Sequence, residues 1–309
     1  MKSIRIFCPA TIANLSCGFD VLGLCLDTVG DEMIIHKSAE PGVRITKIEG
    51  ANLPTNPEAN VAGVAALALL HEWQTDFGFD IEIYKRIKAG SGIGSSAASA
   101  AGAVFGINEL LARPFEKNEL VKFAMKGEQL ASGNAHADNV APALLGGFTL
   151  VRGYNPLDVI RIESPDELHA VVIHPQIELK TADSRAVLQP TVPLKKAIAQ
   201  WGNVGGLVAG LYTSDYDLIG RCLHDEVAEP YRKALIPAFE EIKNVALQQG
   251  ALGSGISGSG PSIFALCKGL STAKAVASGI SVVYDRIGLT YETHISTVNP
   301  NGIKILNQD

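Results

Sequence analysis

Ten consecutive residues, Gly90-Ser91-Gly92-Ile93-Gly94-Ser95-Ser96-Ala97-Ala98-Ser99, carry the pattern richest in chemical content. Glycine lets a backbone approach an anion with no Cβ in the way, and the free N–H groups and positive dipole end of a following helix then face that anion. The run reads as a phosphate-binding loop, with a flexible turn ahead of a close-packed helix as the alternative. It is not a Walker A sequence, because no Gly-Lys-Ser/Thr occurs in the chain. Nor is it a dinucleotide fingerprint, because Ser95 stands where the third glycine belongs.

A second run, residues 250–260, contains a formal G-x-G-x-x-G at Gly253, Gly255 and Gly258. The fingerprint must open a helix, whereas this run ends in Pro261 and enters the strand-like Ser262-Ile263-Phe264-Ala265-Leu266. It reads instead as a loop that closes over a ligand, or as a plain αβ turn. Between the two runs lies Glu128, at the edge of the apolar side of a helical pattern and opposite Lys122, Lys126 and Gln129. A carboxylate facing protein needs a cation, either Mg²⁺ or a neighbouring basic side chain. His136, Asp138 and Asn139 follow in Gly133-Asn134-Ala135-His136-Ala137-Asp138-Asn139, as ligand-site groups or as a turn cap with a core histidine.

The elements around these residues follow from periodicity. Strand patterns cover 3–8, 32–37, 43–49 and 79–87, the last with Ile81, Ile83 and Ile87 set against a wet face of Glu82, Lys85 and Arg86. Helical patterns cover 60–73, 97–111 and 117–131, and 148–152 and 159–163 flank a hairpin turn at Gly153-Tyr154-Asn155-Pro156. Ser164-Pro165-Asp166 marks a boundary between units 1–164 and 165–309. The second unit offers strands at 169–174, 262–267 and 290–298 with helices at 195–212, 215–224, 236–249 and 272–286, giving an α+β class overall.

At 309 residues the chain exceeds one comfortable hydrophobic core, so two domains are expected. A net charge of −6 without any Lys/Arg cluster excludes the basic footprint of nucleic-acid or anionic-membrane binding and points to small-molecule partners. Five cysteines, none in a C-x-x-C pair, argue against a disulfide framework or a zinc site and suit a reducing compartment. Pro9, Asn14 and Asp20 interrupt any signal-peptide core, and the uncharged stretch 89–108 is built of Gly, Ser and Ala rather than long apolar residues, so a cytoplasmic location is expected.

Three motifs, Pro9-Ala10-Thr11-Ile12-Ala13-Asn14-Leu15-Ser16-Cys17-Gly18-Phe19-Asp20-Val21-Leu22-Gly23, the loop 90–99, and the run 250–261, occur in the order found in one enzyme family. With them the chain resembles the homoserine kinases of the GHMP kinase superfamily, which also holds galactokinase, mevalonate kinase and phosphomevalonate kinase. The resemblance implies a two-domain fold: an N-terminal domain like domain 2 of ribosomal protein S5, with a left-handed βαβ unit, and a ferredoxin-like C-terminal domain. It implies ATP-dependent phosphorylation of the L-homoserine hydroxyl with Mg²⁺, and a homodimer is expected.

By that resemblance, Gly90, Ser91, Gly92, Ile93, Gly94, Ser95, Ser96, Ala97 and Ala98 wrap the triphosphate and Asn60 lies near the adenine. Ser96 and Glu128 hold Mg²⁺. Asn14, Asp20, His136, Asp138, Asn139, Arg185 and Arg232 line the homoserine site, and Asn139, Thr181 and Arg185 act at the reacting centre. Two departures from the common family pattern stand out: Lys88-Ala89 where a proline often opens the loop, and Ser16-Cys17 in place of a frequent Gly-Pro. Kinases of other small alcohols, a ligand sensor that retains the fold, and a nicotinamide dehydrogenase resting on Gly253–Gly258 are the competing readings, the last defeated by context.

Overall fold

The structure, a computed structural model, describes residues 2–309. Its first unit is built on a seven-stranded sheet. Strands β1 (Ser3–Ala13), β2 (Leu22–Ser38), β3 (Gly42–Glu49) and β4 (Gly78–Tyr84) are followed by the hairpin β5 (Phe148–Tyr154) and β6 (Leu157–Ile162). Helices α1 (Val61–Glu72), α2 (Ser95–Leu110), α3 (Lys117–Ser132) and α4 (Val140–Leu145) cover the sheet. Antiparallel pairing prevails, but β3 and β4 run parallel, as the crossover through α1 requires.

Helix α2 is buried on nearly every side because it passes between the sheet and its helical neighbours, and only small residues permit that approach. A Cβ on Gly102 would lie 2.4 Å from the Cys8 sulfur of β1 and 3.3 Å from Met33 Cε of β2. The Ala- and Gly-rich sequence of residues 97–106 is thus a packing requirement.

The second unit holds β7 (Leu168–Pro175), α5 (Thr181–Ala186), α6 (Leu194–Thr213), α7 (Tyr216–Cys222), α8 (Glu229–Arg232) and α9 (Phe239–Gln248). There follow β8 (Gly253–Ile256), β9 (Ile263–Lys268), α10 (Leu270–Ile287) and β10 (Tyr291–Thr297). The antiparallel sheet has the order β10-β7-β9-β8. Numbered within the unit that is 4-1-3-2 with helices after the first and third strands, the βαββαβ arrangement of a ferredoxin-like fold. Along β7, Leu168, Ala170 and Val172 join the larger core while Val171 and Ile173 face a second core with α9 and α10. Burial on both faces explains why this strand reads as a continuous apolar run.

The final strand, β11 (Lys304–Gln308), pairs with β1 at the edge of the first sheet. A division at 164/165 assigns these residues to the second unit, yet the chain returns to the first; their alternation is too short and polar to announce a strand without its partner. Two further expectations are corrected. Residues 253–256 of the second glycine run form a strand, because backbone pairing with β9 outweighs their poor intrinsic preference. Lys85, read above as wet, is buried. Period two puts residue 85 on the side of Ile81, Ile83 and Ile87, and parity outranked the charge.

Replacing Gly102 with leucine should overpack the α2–sheet contact by 1–3 kcal/mol, roughly 2–10 °C in melting temperature, read by circular dichroism. An unchanged melt would show that this contact has slack.

Candidate active site

Several chain segments converge on one cleft of about 590 Å³, room enough for a nucleotide phosphate chain and a small acceptor. The first is the loop 90–94. Gly90, Gly92 and Gly94 have φ of 74°, 82° and 71°, the left-handed region that glycine occupies freely. Gly94 caps α2, so the helix N-terminus opens into the cleft with Ser95 and Ser96 in its first turn. Gly90, Ser91, Gly92 and Gly94 line the cleft; Ile93, Ala97 and Ala98 turn their side chains into the core.

The loop is held from below by a group the sequence reading missed. Lys85 Nζ pairs with Asp31 and donates to Ser95 O at 2.8 Å and Ser99 Oγ at 3.1 Å. Asp31 in turn accepts from the backbone N–H of Arg86 at 2.6 Å and of Ile87 at 2.8 Å. This buried pair is fully hydrogen-bonded, the condition under which such a pair is tolerated. It ties β2, β4 and the start of α2 together.

The loop is held from above by residues 257–262. Ser257 Oγ donates to Gly92 O at 2.8 Å and Ser262 Oγ to Ser91 O at 2.6 Å. Gly258 N–H donates to Ala13 O at 3.1 Å. The second glycine run is therefore a brace fastened to the phosphate loop, with Gly258 and Ser259 lining the cleft.

The second segment is the turn between β1 and β2. Asn14, Leu15, Ser16 and Asp20 have φ of 72°, 44°, 58° and 59°, at a cost of order 1 kcal/mol or more each for residues with a Cβ. Asn14 compensates by donating from Nδ2 to Gly258 O at 2.7 Å and accepting the Asp20 N–H at 3.0 Å. The strain presents Asp20 to the cleft. Arg185 of α5 reaches Asp20 at 2.7 Å, and His136 Nδ1 lies 3.9 Å from the same carboxylate.

Arg232 completes this wall, donating to Ser184 O at 2.9 Å and Gly258 O at 3.0 Å. The guanidinium carbons of Arg185 and Arg232 lie 5.7 and 5.1 Å from the Phe19 ring centre, within cation–π range. Burial first, and then the neighbouring Arg185, push the Arg232 pKa down to about 10. The half-buried Arg185 pairs with Asp20 while the buried Arg232 has only backbone carbonyls as hydrogen-bond acceptors, so two guanidiniums border the cleft where an anion can meet them.

The remaining residues come from α3 and the segment after it. Glu128 lines the cleft, buried, and desolvation raises its carboxyl pKa to about 7 although the Ser96 hydroxyl and then Lys85 favour the anion. Asp138 is raised to about 7 by burial and then by the Asp20 and Glu128 carboxylates. His136 is lowered by burial. Asn139 Oδ1 accepts from Thr11 Oγ1 at 2.7 Å, and a Cβ on Gly94 would meet that hydroxyl at 2.1 Å, so the phosphate loop and the Thr11–Asn139 pair are packed directly together. Thr181 lines the cleft with its hydroxyl 3.4 Å from Ser259 Oγ.

Asn60 lines the cleft as well, but its side chain is engaged elsewhere. It caps α1, accepting from the Ala62 and Gly63 N–H groups and donating to Pro54 O at 2.7 Å. Thr11, Lys85, Glu178, Lys180 and Ser259 are among the polar groups at the site that sequence reasoning did not single out. Only Lys85 left a signal, its parity within the strand.

Two family models match the chain: the GHMP kinases N terminal domain over residues 60–147 and the GHMP kinases C terminal over residues 207–285. A homoserine kinase of Chlorobium phaeobacteroides is 47% identical, over 99% of this chain and 100% of its own. One from Methanococcus vannielii is 43% identical, over 87% of this chain and 89% of its own. The crystal structure of homoserine kinase from Cytophaga hutchinsonii superposes with a TM-score of 0.96 at 48% identity, covering 99% and 98% of the two chains. A mevalonate kinase from L. major, at 18% identity and TM-score 0.72 over 95% and 96%, shares the fold.

Because Glu128 and Asp138 have folded-state pKa values above their ordinary ones, the stability they contribute is complete below their ordinary pKa values near 4 and is lost as pH rises through about 7. Urea unfolding of the unliganded protein at pH 4.5 and 7.5 should show that loss. Glu128→Gln should reduce it by ~3 kcal/mol; an equal loss in the variant would mean that Glu128 is not held in its neutral form.

Proposed function

The chain belongs to the homoserine kinases of the GHMP kinase superfamily, and from that premise we propose how its own residues carry the reaction. The enzyme transfers the γ-phosphoryl group of ATP to the side-chain hydroxyl of L-homoserine, a step of threonine biosynthesis. Phosphoryl transfer through a loose transition state asks for positioning and charge stabilisation more than for covalent chemistry.

The backbone amides of residues 90–97, at the N-terminus of α2, cradle the triphosphate, and the Lys85–Asp31 pair keeps that turn from moving. Ser96 and Glu128 hold Mg²⁺: a desolvated carboxylate beside a hydroxyl suits a hard dication with oxygen ligands. When bound, the ion neutralises charge on the phosphates. Asn60 borders the adenine end as a helix cap whose backbone shapes the wall.

Substrate recognition rests on one observation, the ion pair of Asp20 with Arg185 in a wall that also contains Arg232. A zwitterion entering this wall finds both partners: its ammonium meets Asp20, and its carboxylate meets Arg185 and Arg232, exchanging one internal pair for two charge-assisted ones. Asn14 fixes the Asp20 backbone, while His136 and Asp138 border the same carboxylate. Asn139, held by Thr11, orients the substrate hydroxyl, with Thr181 across the cleft. An amide cannot take a proton at neutral pH, so the hydroxyl proton leaves late, to phosphate or water.

On this reading the nucleotide sits on residues 1–164, and residues 165–309 supply the two arginines. No helix among the described residues is long and apolar enough to cross a membrane, in keeping with work in the cytoplasm on soluble substrates. A homodimer through α6 fits one further feature. Leu194, Ile198, Trp201 and Tyr212 are exposed along one stripe of the helix, and residues 197–213 contain no charge. Two copies, each carrying −6, meet there without bringing like charges into direct contact.

Homoserinol, which lacks the carboxylate, should be phosphorylated 10- to 150-fold less efficiently than homoserine, the worth of one charge-assisted hydrogen bond. Arg232→Leu should erase most of that ratio, and because both substrates meet the same variant, any general damage cancels. A variant that discriminates as the wild type does would remove Arg232 from the carboxylate site. Trp201→Asp should convert the dimer to a monomer in analytical ultracentrifugation; an unchanged sedimentation coefficient would exclude the α6 stripe.

A further inference from the structure

Behind the wall formed by Asn14, Arg232 and Gly258 lies a second, small cavity of about 10 Å³ that also touches Ser16, Asp225 and Glu229. Its lining residues are all buried. Ten cubic ångströms is the room taken by the centre of one water, and a buried water needs two to four polar partners.

The partners are present. Ser16 is 3% exposed and Glu229 9% exposed, and neither Ser16 Oγ nor Glu229 Oε2 has a hydrogen-bond partner among the described residues. Both oxygens line this cavity and lie near each other on one side of Gly255, where an added Cβ would lie 2.3 Å from Ser16 Oγ and 3.3 Å from Glu229 Oε2. That spacing is one a single molecule reaching about 2.8 Å to each side can bridge. A side chain at 255 would strike Ser16 Oγ, so glycine there lets the two oxygens keep their places.

A residue with a Cβ at position 16 calls for explanation. Its φ of 58° favours glycine, and its hydroxyl would add the penalty of a buried, unmet polar group. We infer that this cavity is a binding site for one internal water, which accepts from the Ser16 hydroxyl, donates to Glu229 Oε2, and so joins the strained substrate turn to the helix that carries Arg232. A metal cation is disfavoured there by the buried Arg232 guanidinium in the same lining, and Lys243 already pairs with the other Glu229 oxygen. Asp225, accepting from the N–H groups of Val227, Ala228 and Glu229 at 2.7, 3.1 and 2.8 Å, fixes the start of α8 and leaves Glu229 aimed inward.

The bridge has a consequence in each direction. Loss of the water leaves two buried oxygens without partners and loosens Arg232 relative to Asn14, which share Gly258 O as a hydrogen-bond acceptor. Homoserine binding is then weakened while the nucleotide loop, fastened at Ser91 and Gly92, is undisturbed. This last effect rests on the substrate assignment above; crystallographic and stability readouts do not, so failure of the two ideas can be told apart.

A crystal structure at about 1.5 Å should show one water within hydrogen-bonding distance of Ser16 Oγ and Glu229 Oε2. Ser16→Ala should lower the melting temperature by roughly 2–4 °C and raise the KM for homoserine about 3- to 10-fold at unchanged KM for ATP. The sign decides the matter: if the hydroxyl is unmet, alanine removes a penalty and the melting temperature rises. That rise, empty density, or a peak with the 2.3–2.6 Å contacts of a metal ion would overturn the water site. Should the alanine variant fail to fold, Ser16→Gly, free of the backbone strain, carries the same KM comparison.

Discussion

The site depends on the place where the turn at residues 257–262 grips both the phosphate loop and the β1–β2 turn. Gly258 donates its N–H to Ala13 and accepts from Asn14 and Arg232 at one oxygen, while Ser257 and Ser262 hold the carbonyls of Gly92 and Ser91. Each bond is worth about 1 kcal/mol net; together they join segments far apart in sequence. No Cβ fits at Gly92, where Gly260 O would be 2.5 Å away, or easily at Gly258, where Gly92 O would be 3.0 Å away. The two glycine runs are matched to each other as much as to any ligand.

The electrostatics follow from what this clamp brings together. Glu128 and Asp138 are raised by burial, Arg232 is lowered by burial, and Asp20 shares Arg185. Every one of these groups would be relieved by a ligand of opposite charge. On the proposed reading, a dication would relieve the carboxylate side and an amino-acid zwitterion the wall of Asp20, Arg185 and Arg232. The cost of desolvation is borne by the folded chain beforehand, so that bound reactants meet oriented charge rather than water.

The backbone strain at Asn14, Leu15, Ser16 and Asp20 belongs to the same scheme. A relaxed hairpin between β1 and β2 would not direct Asp20 toward Arg185. Strain of this kind persists only where the surroundings over-determine the conformation, and here the surroundings are Gly258, Arg232 and the small cavity behind them.

Much of this was legible from residue types alone. The glycine density at 90–94 requires φ values that other residues avoid, and Glu128 and Asn139 stood out by pattern with structural alternatives beside them, whereas the two arginines and Asp20 were indicated by the family resemblance and not by local pattern. Helices and most strands followed from period, which is a local property. What only the tertiary structure decided is every matter settled by partners distant in sequence. Lys85 is an anchor rather than a wet residue because Asp31, 54 positions away, lies opposite it. Asn60 caps a helix with a side chain the sequence would assign to a ligand. Residues 304–308 and 253–256 are strands because another strand receives them, and the run 250–260 is a brace because the phosphate loop lies within hydrogen-bonding distance. A sequence sets which conformations and charges each segment can bear; which hydrogen-bond acceptor or counter-ion meets them is fixed only when the chain closes on itself.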